Sequence, residues 1–268
     1  SQFKMHSPQY FIYIYFTKMR SMKKILLFTS YCILMLTPSV NSQTNINILG
    51  AWGKEENNTK TLVIITDYIF SVASYNLVEK KFNYTWGGKY RIDKENMELS
   101  YEWHSLDTAM VNLSASIPIA IKKDGQLSLG KILSGLTRLD GGKSGDLFGS
   151  WIISGNYTND TVSKRANPFF PRRTMKIISG KYFQWVSYNV VTKKFFDAGG
   201  GTQTTQNGKY TENIEYFTKT TQSIGKSLSF GYSIIDGDWR HQGQKSTGGP
   251  LDECWTKRKI IEEKFTKK

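Results

Sequence analysis

The chain has 268 residues and a formal net charge of +14 at pH 7, a length that suits one large domain or two domains of about 100 to 150 residues. Its two cysteines exclude a disulfide-rich scaffold. The lysines and arginines are scattered among apolar residues rather than clustered, which favours a solvated surface over a nucleic-acid interface. We therefore expect no nucleic-acid partner.

A segment near the N-terminus has the pattern of a secretory signal peptide. Two basic residues, Lys23 and Lys24, precede an apolar run over 25–36, and small residues follow as far as Ser42. The run is shorter than the roughly 20 residues of a spanning helix, so a retained membrane anchor is the less favoured alternative. We interpret residues 1–18 as translated sequence upstream of the signal peptide. Cys254 is then the only cysteine of the mature chain, which excludes an intramolecular disulfide.

An internal repeat organises the rest of the chain. The segment that begins at Thr61 matches the segment that begins at Thr174, and the match continues without a gap from there to Glu102 over Glu215. Such persistence at one offset indicates a duplicated domain. The second copy carries an insertion around 156–171, which we interpret as a loop.

Within each copy, apolar residues recur at every second position in runs of five to eight residues, separated by Gly, Asn and Asp turns. This pattern is typical of antiparallel strands, and closing them into a barrel leaves no long exposed edge. We therefore predict an all-β chain with two tandem antiparallel up-and-down β-barrels. The predicted segments are 1–42 for the upstream sequence and signal peptide, 48–138 for barrel 1, 139–146 for a glycine-rich linker, 147–258 for barrel 2 and 259–268 for a basic tail.

The start of each copy resembles that of a lipocalin-like domain. Gly-x-Trp stands at Gly50 and again at Gly149, each time ahead of a meander of hairpins. The second copy is most similar to lipocalin-like domains of the calycin group found in uncharacterised secreted proteins of Bacteroidetes. The residues that carry this resemblance lie at 148–151, 172–176, 183–188, 199–202, 210–217 and 250–255. The resemblance implies a barrel, and it implies no established activity.

A polar pair on an otherwise aromatic inner face is the candidate ligand-binding site. Strand parity predicts that Met175 and Ile177 face the interior of barrel 2, and that Arg173 and Glu212 do so as well. A buried charge costs several kcal/mol unless it is paired or bound to a ligand. The remaining predicted members of the site are Trp185, Tyr210, Tyr216, Trp239 and His241. The alternatives are a filled barrel core, a purely structural ion pair, or an Arg173 head group in solvent.

The sequence favours a non-catalytic binding protein, a carrier or sensor of a small hydrophobic or amphiphilic ligand, with an anionic group as one option. Barrel 1 has Lys60 and Leu99 at the positions of Arg173 and Glu212, so it should bind differently or only support the fold. An interaction module that uses the outer barrel faces and an enzyme with an active site in the lumen are the alternatives. No catalytic residue, metal or cofactor is predicted, since His104 and His241 are single and non-equivalent.

We expect a secreted or periplasmic protein whose mature chain begins at Gln43 and has no stable membrane span. N-terminal sequencing of protein from its native host measures this directly. Mature protein that still contains residue 30 would contradict the prediction.

Overall fold

The computed structural model of the protein describes residues 47–142 and 145–266, so the predicted signal peptide lies outside the described residues. The described chain is almost entirely β-strand and forms two closed, eight-stranded antiparallel barrels in tandem. The predicted fold class is therefore confirmed. None of the helices within the described ranges is long and apolar enough to cross a membrane.

Barrel 1 is a meander in which each strand pairs with the next along the chain. Strand β8 returns to β1 through two residue pairs, Trp52 with Arg138 and Gly53 with Thr137, which closes the barrel. Its strands are β1 (Gly50–Glu56), β2 (Thr59–Ile65), β3 (Ile69–Asn76), β4 (Lys81–Asp93), β5 (Asn96–His104), β6 (Ser114–Ile121), β7 (Leu127–Leu129) and β8 (Leu133–Arg138).

Barrel 2 repeats this meander and closes where β17 pairs with β9. One strand, β10, pairs only with β9 and lies outside the closed barrel. The strands are β9 (Gly149–Thr158), β10 (Thr161–Lys164), β11 (Arg172–Ile178), β12 (Tyr182–Asn189), β13 (Lys194–Gln206), β14 (Lys209–Phe217), β15 (Ser227–Ile235), β16 (Asp238–Gln244) and β17 (Pro250–Lys257).

Two segments differ from the sequence prediction. The insertion expected to be a loop begins with a tight hairpin, because Asn159 and Asp160 both adopt positive φ and let β10 fold back on β9. The expected basic tail forms helix α1 (Arg258–Thr266). The helix buries Arg258 and Ile261, and only its opposite side carries the exposed lysines that made the segment look like a tail.

A β-bulge beside a glycine pair changes the side-chain direction in each barrel. On β5 the residue Glu102 has no partner on β4, and on β14 the residue Glu215 has none on β13. A Cβ on Gly88 would lie 1.9 Å from the Ser100 carbonyl oxygen, so the close approach at the bulge requires glycine. The bulge reverses the alternation, and Tyr216 therefore points out of barrel 2 instead of into it.

The outer faces of the two barrels share a hydrophobic core. We call this set of residues the inter-barrel core, and its members on the paired strands include Leu62, Ile64, Tyr75, Trp103, Met175, Ile177, Val186, Tyr188 and Tyr216. Met175 and Ile177 thus lie on the outer face, as do their barrel 1 equivalents Leu62 and Ile64, and the predicted inward direction of Met175 and Ile177 is wrong. Their neighbours Val63, Ile65 and Ile178 face the lumens instead. Both faces of β2 and β11 are buried, so apolar character does not identify the inner one.

The polar part of this contact is centred on one buried carboxylate, that of Glu102. Glu102 accepts from Arg258 at 2.5 and 2.7 Å, lies 2.9 Å from a guanidinium nitrogen of Arg173, and accepts from the Tyr188 hydroxyl at 2.5 Å. Burial alone would raise the pKa of Glu102, but the two arginines and the hydroxyl outweigh burial and hold this pKa at about 2. Glu102 lies on the outer face of barrel 1, where barrel 2 covers it.

We expect Glu102→Gln to lower the free energy of unfolding by about 3 to 5 kcal/mol, because it leaves the buried Arg173 guanidinium without its carboxylate and Arg258 with only the longer contact to Glu262 at 3.5 Å. Urea unfolding at pH 7 measures this. The matched control is Glu215→Gln, at the equivalent position in barrel 2. Its partly exposed carboxylate has one charged partner among the described residues, Lys60, and accepts from the Tyr75 hydroxyl, so it should contribute about 1 kcal/mol. Equal losses in the two variants would contradict the central role of Glu102.

The same carboxylate predicts a pH dependence. The folded-state pKa of Glu102 lies below the ordinary value of 4.5, so its contribution to stability is fully present above that pH and is lost as the pH falls towards 2. We expect the unfolding free energy to decrease over this interval, and to decrease less in Glu102→Gln. Unfolding curves at pH 6, 4 and 3 compare the two slopes.

Candidate functional site

The lumen of barrel 2 contains a cavity of about 360 Å³. This volume lies at the lower end of the range for small-molecule sites, which combine apolar walls with a few polar groups. The apolar wall comprises Ile153, Phe183, Trp185, Ile214, Phe217, Leu228, Phe230, Leu251 and Trp255. The polar lining groups are Thr174, Lys176, Glu212, His241 and Glu253, together with Lys219 and residues 245–247.

An ion pair lies inside this cavity. The Lys176 ammonium is 2.6 Å from a carboxylate oxygen of Glu212, and the two side chains are 6% and 8% exposed. The same ammonium lies 5.1 to 5.8 Å from the ring centroids of four aromatic residues, Tyr210, Phe230, Trp239 and Trp255. Such a cage stabilises a cation through the ring quadrupoles. The pair can offer a ligand both a cationic donor and a carboxylate acceptor.

A second polar pair extends the first. His241 Nδ1 is 3.4 Å from Glu253 Oε2, which also accepts from the Trp255 indole nitrogen at 2.9 Å. Burial and the nearby Lys176 charge lower the pKa of His241 to about 4, so the imidazole is neutral at pH 7. Because Nδ1 faces the carboxylate, it carries the proton and Nε2 is the acceptor. His241 Nε2 has no hydrogen-bond partner among the described residues.

The structure brings together five of the seven predicted site residues. Trp185, Glu212 and His241 line the cavity. Tyr210 and Trp239 belong to the buried inner core of barrel 2 and contact Lys176 through their rings. All five face the lumen.

Two predicted site residues lie elsewhere, in the contact between the barrels. Arg173 pairs with Glu102, and Tyr216 stacks on Tyr75 of barrel 1 at a centroid distance of 4.5 Å. Their predicted lumen-facing direction is wrong. For Arg173 the cause is the apolar outer face of β11, and for Tyr216 it is the bulge at Glu215.

Sequence reasoning missed Lys176 and Glu253. Lys176 alternates with Met175 and Ile177, so the apolar pair was taken for the inner face and the lysine for the outer one. The signal that could have found Lys176 is its pairing with Glu212, since a buried cation needs a carboxylate of the same parity. Glu253 lies in the middle of β17, next to the point where the register shifts between Cys254 and Trp255.

The two lumens differ because equivalent positions carry side chains of different size. In barrel 1, Trp86 enters the lumen and packs on Tyr101 at a centroid distance of 5.7 Å. In barrel 2 these positions hold Gly199 and Ile214. Trp185 takes the space beside Gly199, where a Cβ would lie 2.5 Å from its indole nitrogen. Barrel 1 is therefore packed with aromatic rings at the level where barrel 2 has its cavity.

The polar pairs of the lumen are also specific to barrel 2. Val63 and Leu99 of barrel 1 stand at the positions of Lys176 and Glu212, and both belong to its apolar core. The inner face of barrel 1 therefore has no charged group at these two positions that could bind a ligand.

No group of three or more His, Cys, Asp or Glu side chains in residues 47–142 and 145–266 is arranged to hold a metal ion. A scan of the chain against known protein families finds no match, and a search of curated proteins finds no similar sequence.

We expect His241 to titrate near pH 4, because burial and the Lys176 charge disfavour its imidazolium. Burial also lowers the pKa of His104, where the Asp107 carboxylate opposes the effect. The imidazole chemical shifts of the two residues, followed by NMR from pH 3 to 8, measure both transitions. A His241 transition above pH 6 would contradict the neutral assignment.

Proposed function

We propose that barrel 2 binds a small, partly apolar ligand in its lumen and that barrel 1 supports it without binding. The observation that carries this proposal is the cavity of about 360 Å³ that contains the Lys176–Glu212 ion pair. Two buried charges inside a barrel cost desolvation energy that apolar residues would avoid, as Val63 and Leu99 do in barrel 1. Recognition of a polar group is a reason for keeping such a pair.

The polar groups favour a ligand with a hydrogen-bonding end directed into the barrel. His241 Nε2 and Trp239 Nε1 are buried and have no partner among the described residues. The first is an acceptor and the second a donor. Buried polar atoms are ordinarily hydrogen-bonded, so a ligand hydroxyl or amide that bonds His241 removes an energetic cost.

The opposite end of the cavity favours negative charge. Lys219 and Lys245 line the cavity and are exposed. The Lys219 ammonium lies 5.5 Å from the ring centroid of Trp185 and makes a long, exposed contact with Asp197 at 3.8 Å. A planar ligand that contacts Trp185 would hold an anionic substituent near these lysines. The lipocalin-like architecture supports a carrier or sensor role, and the leader sequence supports a site of action in the periplasm or outside the cell.

We expect one molecule of the anionic dye 1-anilinonaphthalene-8-sulfonate to bind per chain, with energy transfer from Trp185 and Trp255. Ile214→Tyr, which introduces the residue of barrel 1, should weaken binding by about tenfold or more, equivalent to about 1.4 kcal/mol, by filling the cavity. The matched control is Tyr101→Phe at the equivalent position of barrel 1. Fluorescence titration measures all three proteins, and an equal affinity in all of them would contradict binding in the lumen of barrel 2.

The charge preference has its own test. N-phenyl-1-naphthylamine has the same aromatic body without the sulfonate. Replacing Lys219 and Lys245 by alanine should weaken the anionic dye by about two- to fivefold, the range expected for exposed charges, and leave the neutral dye unchanged. Equal effects on the two dyes would show that the lysines act through packing and not through charge.

A further inference from the structure

The contact between the barrels repeats itself about a local twofold axis. Lys60 of barrel 1 pairs with Glu215 of barrel 2 at 2.8 Å, and Arg173 of barrel 2 pairs with Glu102 of barrel 1 at 2.9 Å. Lys60 and Arg173 are equivalent positions of the repeat, and so are Glu102 and Glu215. The two ion pairs are therefore the same interaction made in both directions, which defines an isologous interface.

Two tyrosine hydroxyl groups make equivalent contacts in both directions as well. Tyr75 donates to Glu215, and its equivalent Tyr188 donates to Glu102, each at 2.5 Å. Each glutamate thus receives a cation and a phenol from the opposite barrel. These are the bulged residues of β5 and β14, so the bulge is what presents the carboxylate to the other barrel.

Aromatic contacts are reciprocal as well. Tyr75 stacks on Tyr216 at a centroid distance of 4.5 Å, and Tyr188 packs on Trp103 at 5.3 Å. Tyr75 is equivalent to Tyr188, and Trp103 to Tyr216. Interchanging the two barrels therefore replaces the Tyr75–Tyr216 pair by the Tyr188–Trp103 pair, which has a similar shape.

Residues on the axis contact their own equivalents. Phe82 stacks on Phe195 with the rings 6.3 Å apart and 8° from parallel, and Ser71 donates a hydrogen bond to Gln184. In both pairs the two residues occupy the same position of the repeat. Self-contact of this kind occurs only where a twofold axis passes through an interface.

We infer that this interface is an internal form of a homodimer contact, and that the outer face of barrel 2 fits a second copy of barrel 2. In such a pair Arg173 of each copy meets Glu215 of the other, Tyr188 meets Tyr216, and Phe195 meets Phe195. The self-pair lacks at least three of the present bonds, in which Gln184 donates to Thr85 at 2.7 Å, Lys89 to Glu262 at 2.8 Å and Asn112 to the Val190 carbonyl at 3.1 Å. The positions equivalent to Thr85, Lys89 and Asn112 hold Ala198, Thr202 and Gly225. The self-pair should therefore form, and be weaker than the pairing with barrel 1.

The test uses the full chain with a protease recognition sequence inserted after Gly142 and cut once the protein is folded. Isotopically labelled and unlabelled cut chains are mixed, exchanged by refolding from urea, and examined by native mass spectrometry. Scrambled labels in the barrel 1–barrel 2 complex show that the halves have exchanged. We expect barrel 2–barrel 2 complexes beside them, at about a tenth or more of the abundance of the mixed complex.

Charge reversal distinguishes this contact from unspecific association. Lys60→Glu combined with Glu215→Lys preserves opposite charges between barrel 1 and barrel 2. In a barrel 2 pair, however, the Glu215→Lys substitution places a cation next to Arg173 of the other copy. The double variant should keep the mixed complex and reduce barrel 2–barrel 2 complexes by about tenfold or more, because like charges meet in a desolvated contact.

Two results would overturn the inference: scrambled mixed complexes with no barrel 2–barrel 2 species, or barrel 2 pairs that survive the double variant undiminished. If the cut chain does not refold, the same mixture is exchanged natively by prolonged incubation at low protein concentration, with the same species counted and the same readings.

Discussion

Each barrel has one apolar outer face that the other barrel covers, with Phe169 and helix α1 packed at the same core, and this constraint shapes most of the molecule. On β2 it makes Leu62 and Ile64 as buried as Val63 and Ile65, which point the opposite way. A polar group on that face must then be paired, which explains why Glu102 is surrounded by arginines and a phenol. The bulge at Glu102 follows from the same need, since regular alternation would direct this carboxylate differently from Trp103.

Much of the fold could be predicted because strand period, turn residues and the repeat are local signals. The eight barrel strands of the second copy all lie where alternation and glycine-rich turns place them. The prediction of side-chain direction failed where that direction depends on tertiary contacts. On β11, parity separates Met175 from Lys176, but only the presence of a second barrel shows which of them is inside. At Tyr216 the alternation itself was interrupted by a bulge that leaves no pattern except a glycine pair on the neighbouring strand.

The candidate site was predictable in its aromatic part and in one of its charges. Trp185, Tyr210 and Trp239 face the lumen as the pattern indicates, and Glu212 was recognised as a buried charge. Its partner was taken to be Arg173, although a cation on the inner face must share the parity of Thr174 and not that of Met175. The ion pair became evident only once the closed barrel placed β11 across from β14.

The same strands line the lumen of barrel 2 with one face and form the inter-barrel contact with the other. Strand β11 carries Lys176 inside and Met175 and Ile177 outside, and β14 carries Glu212 inside and the bulged Glu215 outside. Barrel 1 therefore packs against the wall that holds the ion pair, and restrains it. Strands β15 and β16 contribute none of the described residues of the inter-barrel core, and β16 ends in the 245–247 turn beside the cavity. Movement of the wall formed by β11 and β14 would disturb the buried arginine–glutamate contacts between the barrels, whereas the side formed by β15, β16 and the 245–247 turn is not restrained by the inter-barrel core.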